Sequence, residues 1–205
     1  MIICGDDNMS RIGVCGAFST GKTTLAARLA LVLDKPLIEE PARIVARQMG
    51  VTPGNLALPD FCEFQRKALE YHFVEEVQHE VSGFVSDCSM LCYTAYAHNP
   101  PPGLIYKFHE QYGELLLLYA NLLQQRIHRY TDLVYVPVMF GPENDGVRHT
   151  SAGFQAIIEE FFTDKLLPLV RERAPHVRIH TVTADGPDER VAELLPKLKR
   201  ITFAF

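Results

Sequence analysis

The octapeptide Gly16-Ala-Phe-Ser-Thr-Gly-Lys-Thr23 stands between an apolar run, Arg11-Ile-Gly-Val-Cys15, and a strongly helical segment, Thr23 to Leu33. Its spacing is the Walker A pattern in full, in the strand–loop–helix setting that the pattern requires. No other feature constrains the fold as much. Glycines let the loop turn tightly and aim several backbone N–H groups at phosphate oxygens. The N-terminus of the following helix adds about half a positive charge. The residues expected to cradle ATP are therefore Gly16, Ala17, Phe18, Ser19, Thr20, Gly21, Lys22, Thr23 and Thr24. Lys22 would reach the β- and γ-phosphates, and the Thr23 hydroxyl would ligate Mg²⁺. ATP and Mg²⁺ are the expected cofactors.

The remaining chain alternates strand and helix. After strand 1 and the Thr23–Leu33 helix, Lys35–Glu39 reads as strand 2, with a helix from Pro41 to Met49. Pro41 suits the first helical position. A long helix is predicted to start at an Asp60 cap and run to Val81. Gly83–Asp87 reads as strand 3, Ser89–Ala97 as a short helix and Phe108–Tyr130 as a long one. Leu133–Val138 reads as strand 4, Ala152–Arg173 as a helix, Val177–Val182 as strand 5 and Pro187–Lys199 as the last helix. That order predicts an α/β fold: a doubly wound, five-stranded parallel sheet with helices on both faces. One domain over 1–205 is expected, with a lid at about 141–150. Ligands in such folds sit beyond the carboxyl ends of the strands, so the strand ends are where chemistry is expected.

Composition fits this reading. The 205 residues are 47% hydrophobic and 22% charged, as in ordinary globular proteins. No apolar run is long enough for a membrane span, and Met1–Arg11 lacks the pattern of a secretory signal. Cys4, Cys15, Cys62, Cys88 and Cys92 are too scattered for a disulfide framework, so reduced thiols in a cytoplasmic protein are expected. The net charge of −5 argues against a chain that wraps nucleic acid.

Strand 2 ends in Glu39-Glu40-Pro41-Ala42-Arg43. A carboxylate here would face the γ-phosphate and could take a proton from an attacking hydroxyl. The competing reading is a solvated acid pair at a helix N-terminus. Strand 3 ends in Asp87-Cys88-Ser89, the Walker B arrangement, in which the aspartate holds Mg²⁺ directly or through water; the competing reading is a cap for the helix that starts near Ser89. Asp145 and Arg148 follow strand 4. Arg148 can neutralise charge on a transferring phosphoryl group with Asp145 orienting it or the substrate, or the Asp-Gly pair can mark an ordinary turn. Asp185 is expected to cap the last helix. Gln65 can read a base or amide, or be an exposed helical glutamine.

These pieces together resemble P-loop kinases of the nicotinamide-riboside kinase type, as found in the kinase domain of bacterial NAD-regulator proteins. The matching residues are 16–25, Glu40-Pro-Ala-Arg43, Asp87-Cys-Ser and Asp145-Gly-Val-Arg148, and their order covers roughly 11 to 190. The Glu-Pro-x-Arg element and the Gln65 helix are also similar to deoxynucleoside kinases. That resemblance implies Glu40 as catalytic base, Gln65 as the reader of a nucleobase and Asp87 as an assisting acid. The chain departs from both groups after strand 3. Ser89 stands where the first group tends to have a second aspartate, and Cys88 where the second usually has arginine. These departures touch the acceptor more than the ATP site.

The expected function is transfer of the γ-phosphate of ATP to a hydroxyl of a small, nucleoside-like acceptor. That acceptor would sit among Glu40, Arg43, Gln65, Asp87 and Asp145. Lys22 and Arg148 would stabilise the phosphoryl group, Thr23 and Asp87 would hold the metal, and either Glu40 or Asp87 would be the base. One alternative is a kinase acting on a hydroxymethylated base in DNA, for which Lys107, Arg126, Arg129, Arg148 and Arg171 would have to share a face. The other is a non-catalytic nucleotide switch.

Overall fold

The computed structural model describes residues 9–53, 56–100, 110–142 and 151–199. Its elements run β1 (Arg11–Cys15), α1 (Lys22–Leu33), β2 (Leu37–Ile38), α2 (Pro41–Met49), α3 (Leu58–Gln78), β3 (Phe84–Asp87), α4 (Met90–His98) and α5 (Glu110–Arg126). They continue with β4 (Asp132–Tyr135), α6 (Ala152–Phe161), α7 (Leu167–Arg173), β5 (Arg178–Thr181) and α8 (Pro187–Leu198). The sheet has five strands in the order β2-β3-β1-β4-β5. Every pairing is parallel. This is the expected doubly wound architecture.

Alternation along β1 divides the core. Ile12 and Val14 face α1 and α8, where Leu25, Leu29, Leu194 and Leu198 close one apolar layer. Cys15 faces the larger layer on the other side, built from α2 to α7. Among the described residues no helix is long and apolar enough to cross a membrane. The four described cysteines are free and buried.

Several predicted boundaries shift for physical reasons. The helix carrying Asp60 begins at Leu58 with Ala57 at its cap. Proline at the second helical position, Pro59, starts the helix because the missing N–H has no intrahelical partner there. Asp60 therefore lies inside the first turn, where its charge still meets the helix dipole. The last helix has Gly186 at its N-cap, so Asp185 does not occupy the capping position. The predicted 152–173 helix is continuous but widens into a π-turn at Phe162–Leu166. Pro168 stands two residues on, in the first turn of α7. A proline cannot donate to the preceding turn and crowds the carbonyl four residues back, and a wider turn relieves that contact.

A buried polar group props the start of α4 from below. The Tyr130 hydroxyl accepts from the Met90 N–H at 3.0 Å and donates to Glu76 Oε1 at 2.5 Å. His72 Nε2 lies 3.0 Å from the same carboxylate oxygen. All three side chains are buried. Burial pushes the Glu76 carboxyl up, but the His72 ring, the Tyr130 hydroxyl and Arg129 outweigh it and hold it below the usual carboxylate value. Replacing Tyr130 by Phe leaves a buried N–H and a buried carboxylate each short of a partner. Such a loss costs about 2–3 kcal/mol. Urea unfolding of Tyr130→Phe is expected to show that deficit in the midpoint with the slope unchanged.

Candidate active site

The carboxyl ends of β1, β3 and β2 converge because adjacent strands are stitched in register. Val14 pairs with Asp87, and Ile38 pairs with Ser86. Beyond the register, the Ser89 N–H donates to the Val14 carbonyl at 2.9 Å, and the Val136 N–H donates to the Cys15 carbonyl at 2.8 Å. The loop that opens at Gly16 is thus held between the segment after β3 and the segment after β4.

Gly16 has φ +139°, and a Cβ there would stand 2.2 Å from the Val136 carbonyl oxygen. Only glycine fits such a passage. Inside the loop, the Ala17 carbonyl collects two donors: the Thr20 hydroxyl at 3.0 Å and the Lys22 ammonium. Lys22 is buried, whereas Thr23 and Thr24 are exposed on the first turn of α1. The Phe18 ring packs on Phe154 with centroids 5.7 Å apart. The Phe18 carbonyl accepts from the Gln155 amide at 2.8 Å. A phosphate arriving at this loop would meet a lysine whose partner is a neutral carbonyl, so charge would replace a dipole.

The acids sit where the sequence places them. Asp87 ends β3 and is buried. Glu40 occupies the N-cap of α2 and is 9% exposed. Its Oε2 accepts from Arg43 Nε at 3.3 Å. Glu40 is thus no freely solvated acid. Cys88, between Asp87 and Ser89, takes φ +89°, a left-handed backbone that non-glycine residues rarely adopt. The chain turns sharply there, straight after the acid.

Gln65 is not an exposed helical glutamine. It is buried on α3, and the Tyr119 hydroxyl lies 3.0 Å from its backbone carbonyl and 3.1 Å from its Oε1. Asp145 and Arg148 fall outside the described residues, as does most of the expected lid, 141–150. A cleft of about 640 Å³ lies beyond the end of β4, lined by Met139, Phe140, Gln155 and Glu159 among others. Arg126 and Arg129, considered for a nucleic-acid channel, precede β4 at the amino edge of the sheet. Arg126 lies 4.5 Å over the Phe73 ring and Arg129 pairs with Glu80 at 2.6 Å. They do not border the phosphate loop.

Sequence reasoning missed Gln155, Arg190 and Glu193. Arg190 is buried on α8 and donates to the Thr20 carbonyl at 2.7 Å. Glu193 accepts from the N–H groups of Thr183 at 2.9 Å and Ala184 at 3.0 Å, fixing the loop after β5. The available signal was helical spacing: Arg190, Leu194 and Leu198 share one face of α8, so a charged residue stands in an apolar stripe.

Three variants test this geometry. Gly16→Ala is expected to abolish nucleotide binding and lower the thermal midpoint sharply, because the clash is with backbone. Gly50→Ala has positive φ but nothing within 4 Å of the new Cβ, and is expected to cost only about 1 kcal/mol. Mild burial pushes the Glu193 carboxyl up, but the two loop N–H groups and Lys197 outweigh it and bring it from 4.5 to about 2. A folded value below the unfolded one stabilises the protein above the unfolded value, and that contribution disappears as pH falls toward 2. Glu193→Gln is expected to lower the thermal midpoint at neutral pH and to flatten its fall between pH 4.5 and 2.

No sequence among the curated proteins matches the chain. Among solved structures, the fold is similar to NadR protein in complex with NR, with TM-score 0.64 and 18% identity over 97% of this chain and 55% of that one. NadR protein in complex with NAD and AMP-PNP gives 0.61 and 16% over 97% of this chain and 52% of that one. Shikimate kinase from Acinetobacter baumannii in complex with shikimate gives 0.51 and 17% over 94% and 95%. The chain spans about half the length of the NadR chains. At these identities the likeness shows the fold alone. A family model described as an AAA domain, AAA_28, matches residues 11–175, most of the chain, and the protein belongs to that family.

Proposed function

We propose that this protein is an ATP-dependent kinase that phosphorylates a hydroxyl of a small, nucleoside-like acceptor. The observation that carries the reading is the meeting, at one sheet edge, of the Gly16–Thr23 loop, Asp87 after β3 and Glu40 after β2. A phosphate cradle beside two acids, both largely shielded from water, has the parts for phosphoryl transfer. Solved structures of the same fold hold NR, NAD with AMP-PNP, and shikimate. Those ligands support a nucleotide and a small acceptor as the classes to test.

In this reading Lys22 leaves the Ala17 carbonyl for the β- and γ-phosphates. Either Glu40 or Asp87 accepts the hydroxyl proton of the acceptor. Arg43 holds Glu40 in place and can contact the acceptor. The Gln65 side chain, its oxygen engaged by Tyr119, offers its NH₂ group to a base or amide. Arg148 and Asp145 are assigned to the lid on sequence alone. The exposed Thr23 hydroxyl and the Asp87 carboxylate are hard oxygen donors of the kind Mg²⁺ takes when it also binds phosphates. Bound there, the ion would neutralise charge on the phosphates.

The test is ADP release from the purified protein with ATP and Mg²⁺ over a panel of nucleosides, nicotinamide riboside and DNA bearing hydroxymethylated bases. One small compound is expected to stimulate turnover, and Lys22→Ala to abolish it. Glu40→Gln or Asp87→Asn, whichever removes the base, is expected to lower kcat by about 10²–10⁴-fold. Full turnover in both variants would refute the assignment. Stimulation by DNA alone would replace the small acceptor with a polymer.

A further inference from the structure

Arg190 is the buried cation that the reading above does not use. Its side chain is 3% exposed, on the face of α8 that otherwise carries Leu194 and Leu198. A guanidinium remains charged at any ordinary pH. Burying one is costly unless an anion compensates. Among the described residues no carboxylate pairs with Arg190. Its partners are neutral: Nη1 donates to the Thr20 carbonyl at 2.7 Å, Nε to the Ala184 carbonyl at 2.9 Å, and Nη2 to Met139 Sδ at 3.4 Å. The Phe140 ring centroid lies 5.9 Å from Cζ. These contacts come from the phosphate loop, the segment after β4 and the segment after β5. One side chain therefore ties together three segments at the carboxyl edge of the sheet.

The contact with Thr20 has a directional consequence. A peptide group is planar and trans, so its C=O and the next residue's N–H point in opposite directions. Holding the Thr20 carbonyl toward α8 turns the Gly21 N–H away from it. Gly21 is suited to this arrangement: its φ is +86°, and a Cβ there would come within 2.9 Å of Arg190 Nη1. The fork thus sets the orientation of the Thr20–Gly21 peptide. A leucine at 190 would continue the apolar stripe without the desolvation cost, but it would leave that peptide free to rotate.

We propose that Arg190 is a positioning residue for the nucleotide. It fixes the Thr20–Gly21 peptide so that the Gly21 N–H faces the phosphates, and its charge, uncompensated by any described carboxylate, adds to the positive potential that draws them in. It acts through the loop and does not touch the phosphates itself. The proposal deepens the kinase reading and rests on it only to the extent that the loop binds a nucleotide.

The test uses the full chain, with Arg190→Lys and Arg190→Gln beside Lys22→Ala. A fluorescent ADP analogue with Mg²⁺ reports affinity, and the thermal midpoint without nucleotide reports folding. Lysine keeps the charge but loses the planar fork; glutamine loses the charge. The expected order of Kd is Arg below Lys below Gln, with about tenfold weakening in the Gln variant and an intermediate value for Lys. A purely structural residue would lower the thermal midpoint and leave Kd unchanged, and that result would overturn the proposal. If the Gln variant does not fold, the Lys variant decides: wild-type affinity there rejects the role. Loss of binding in Lys22→Ala with wild-type affinity in both Arg190 variants would remove this proposal and leave the kinase reading standing. No binding by the unmodified protein would remove both.

Discussion

The carbonyls of Val14 and Cys15, at the end of the central strand, each accept a backbone N–H from a different neighbour, Ser89 on one side and Val136 on the other. These two bonds lie just past the regular ladders, where the chain is about to leave the sheet. They oblige the β3 and β4 segments to continue alongside the phosphate loop instead of diverging from it. Gly16 then passes so close to the Val136 carbonyl that no side chain fits. Asp87 is carried to the same edge by its pairing with Val14. The positions of the phosphate loop and of Asp87 are therefore fixed by backbone geometry before side-chain chemistry enters.

The charges at this edge are arranged for exchange. Lys22 and the Thr20 hydroxyl both rest on the Ala17 carbonyl, and Arg190 rests on the Thr20 carbonyl. Two buried cations are thus solvated by dipoles of the loop itself. Dipoles compensate a buried charge less well than an anion does. A phosphate entering the loop would find both cations already desolvated, and Lys22 would exchange the Ala17 carbonyl for an anion.

The topology was legible because alternating elements and a Walker A loop leave few ways to build a sheet. Glu40 and Asp87 were legible for a related reason: each follows a strand, and strand ends meet at one edge. The residues that hold the loop in place were not. Arg190 and Gln155 lie on helices whose apolar periodicity reads as core, and period alone does not reveal which polar residue has turned inward to a carbonyl. Gln65 was open to an exposed reading because its partner, Tyr119, is distant in sequence. The π-turn at Phe162–Leu166 preserves the burial of Phe162 and Leu166, so the hydrophobic pattern runs through it without a break. Short-range pattern finds elements; contacts across many tens of residues decide how a loop is braced.

The two faces of the sheet divide the labour differently from the strand ends. Arg190 and Glu193 brace the phosphate loop and the β5–α8 segment from the layer of α1 and α8. Glu40 and Gln65 belong to α2 and α3, in the opposite layer. The phosphate loop is also held from that opposite layer, through Phe18 on Phe154 and the Gln155 amide on the Phe18 carbonyl, so in the proposed reading the nucleotide side is braced from both layers and the acceptor side from one. The sequence departs from kinase patterns on one side only. Its Walker A loop matches the pattern in full, whereas its departures from kinase patterns, Cys88 and Ser89, follow β3. Ser89 packs against the central strand, where a Cβ at Gly13 would stand 2.7 Å from its own. The Ser89 Cβ thus fills the space beside β1 that a side chain at position 13 would need, and the segment after β3 packs directly on the central strand.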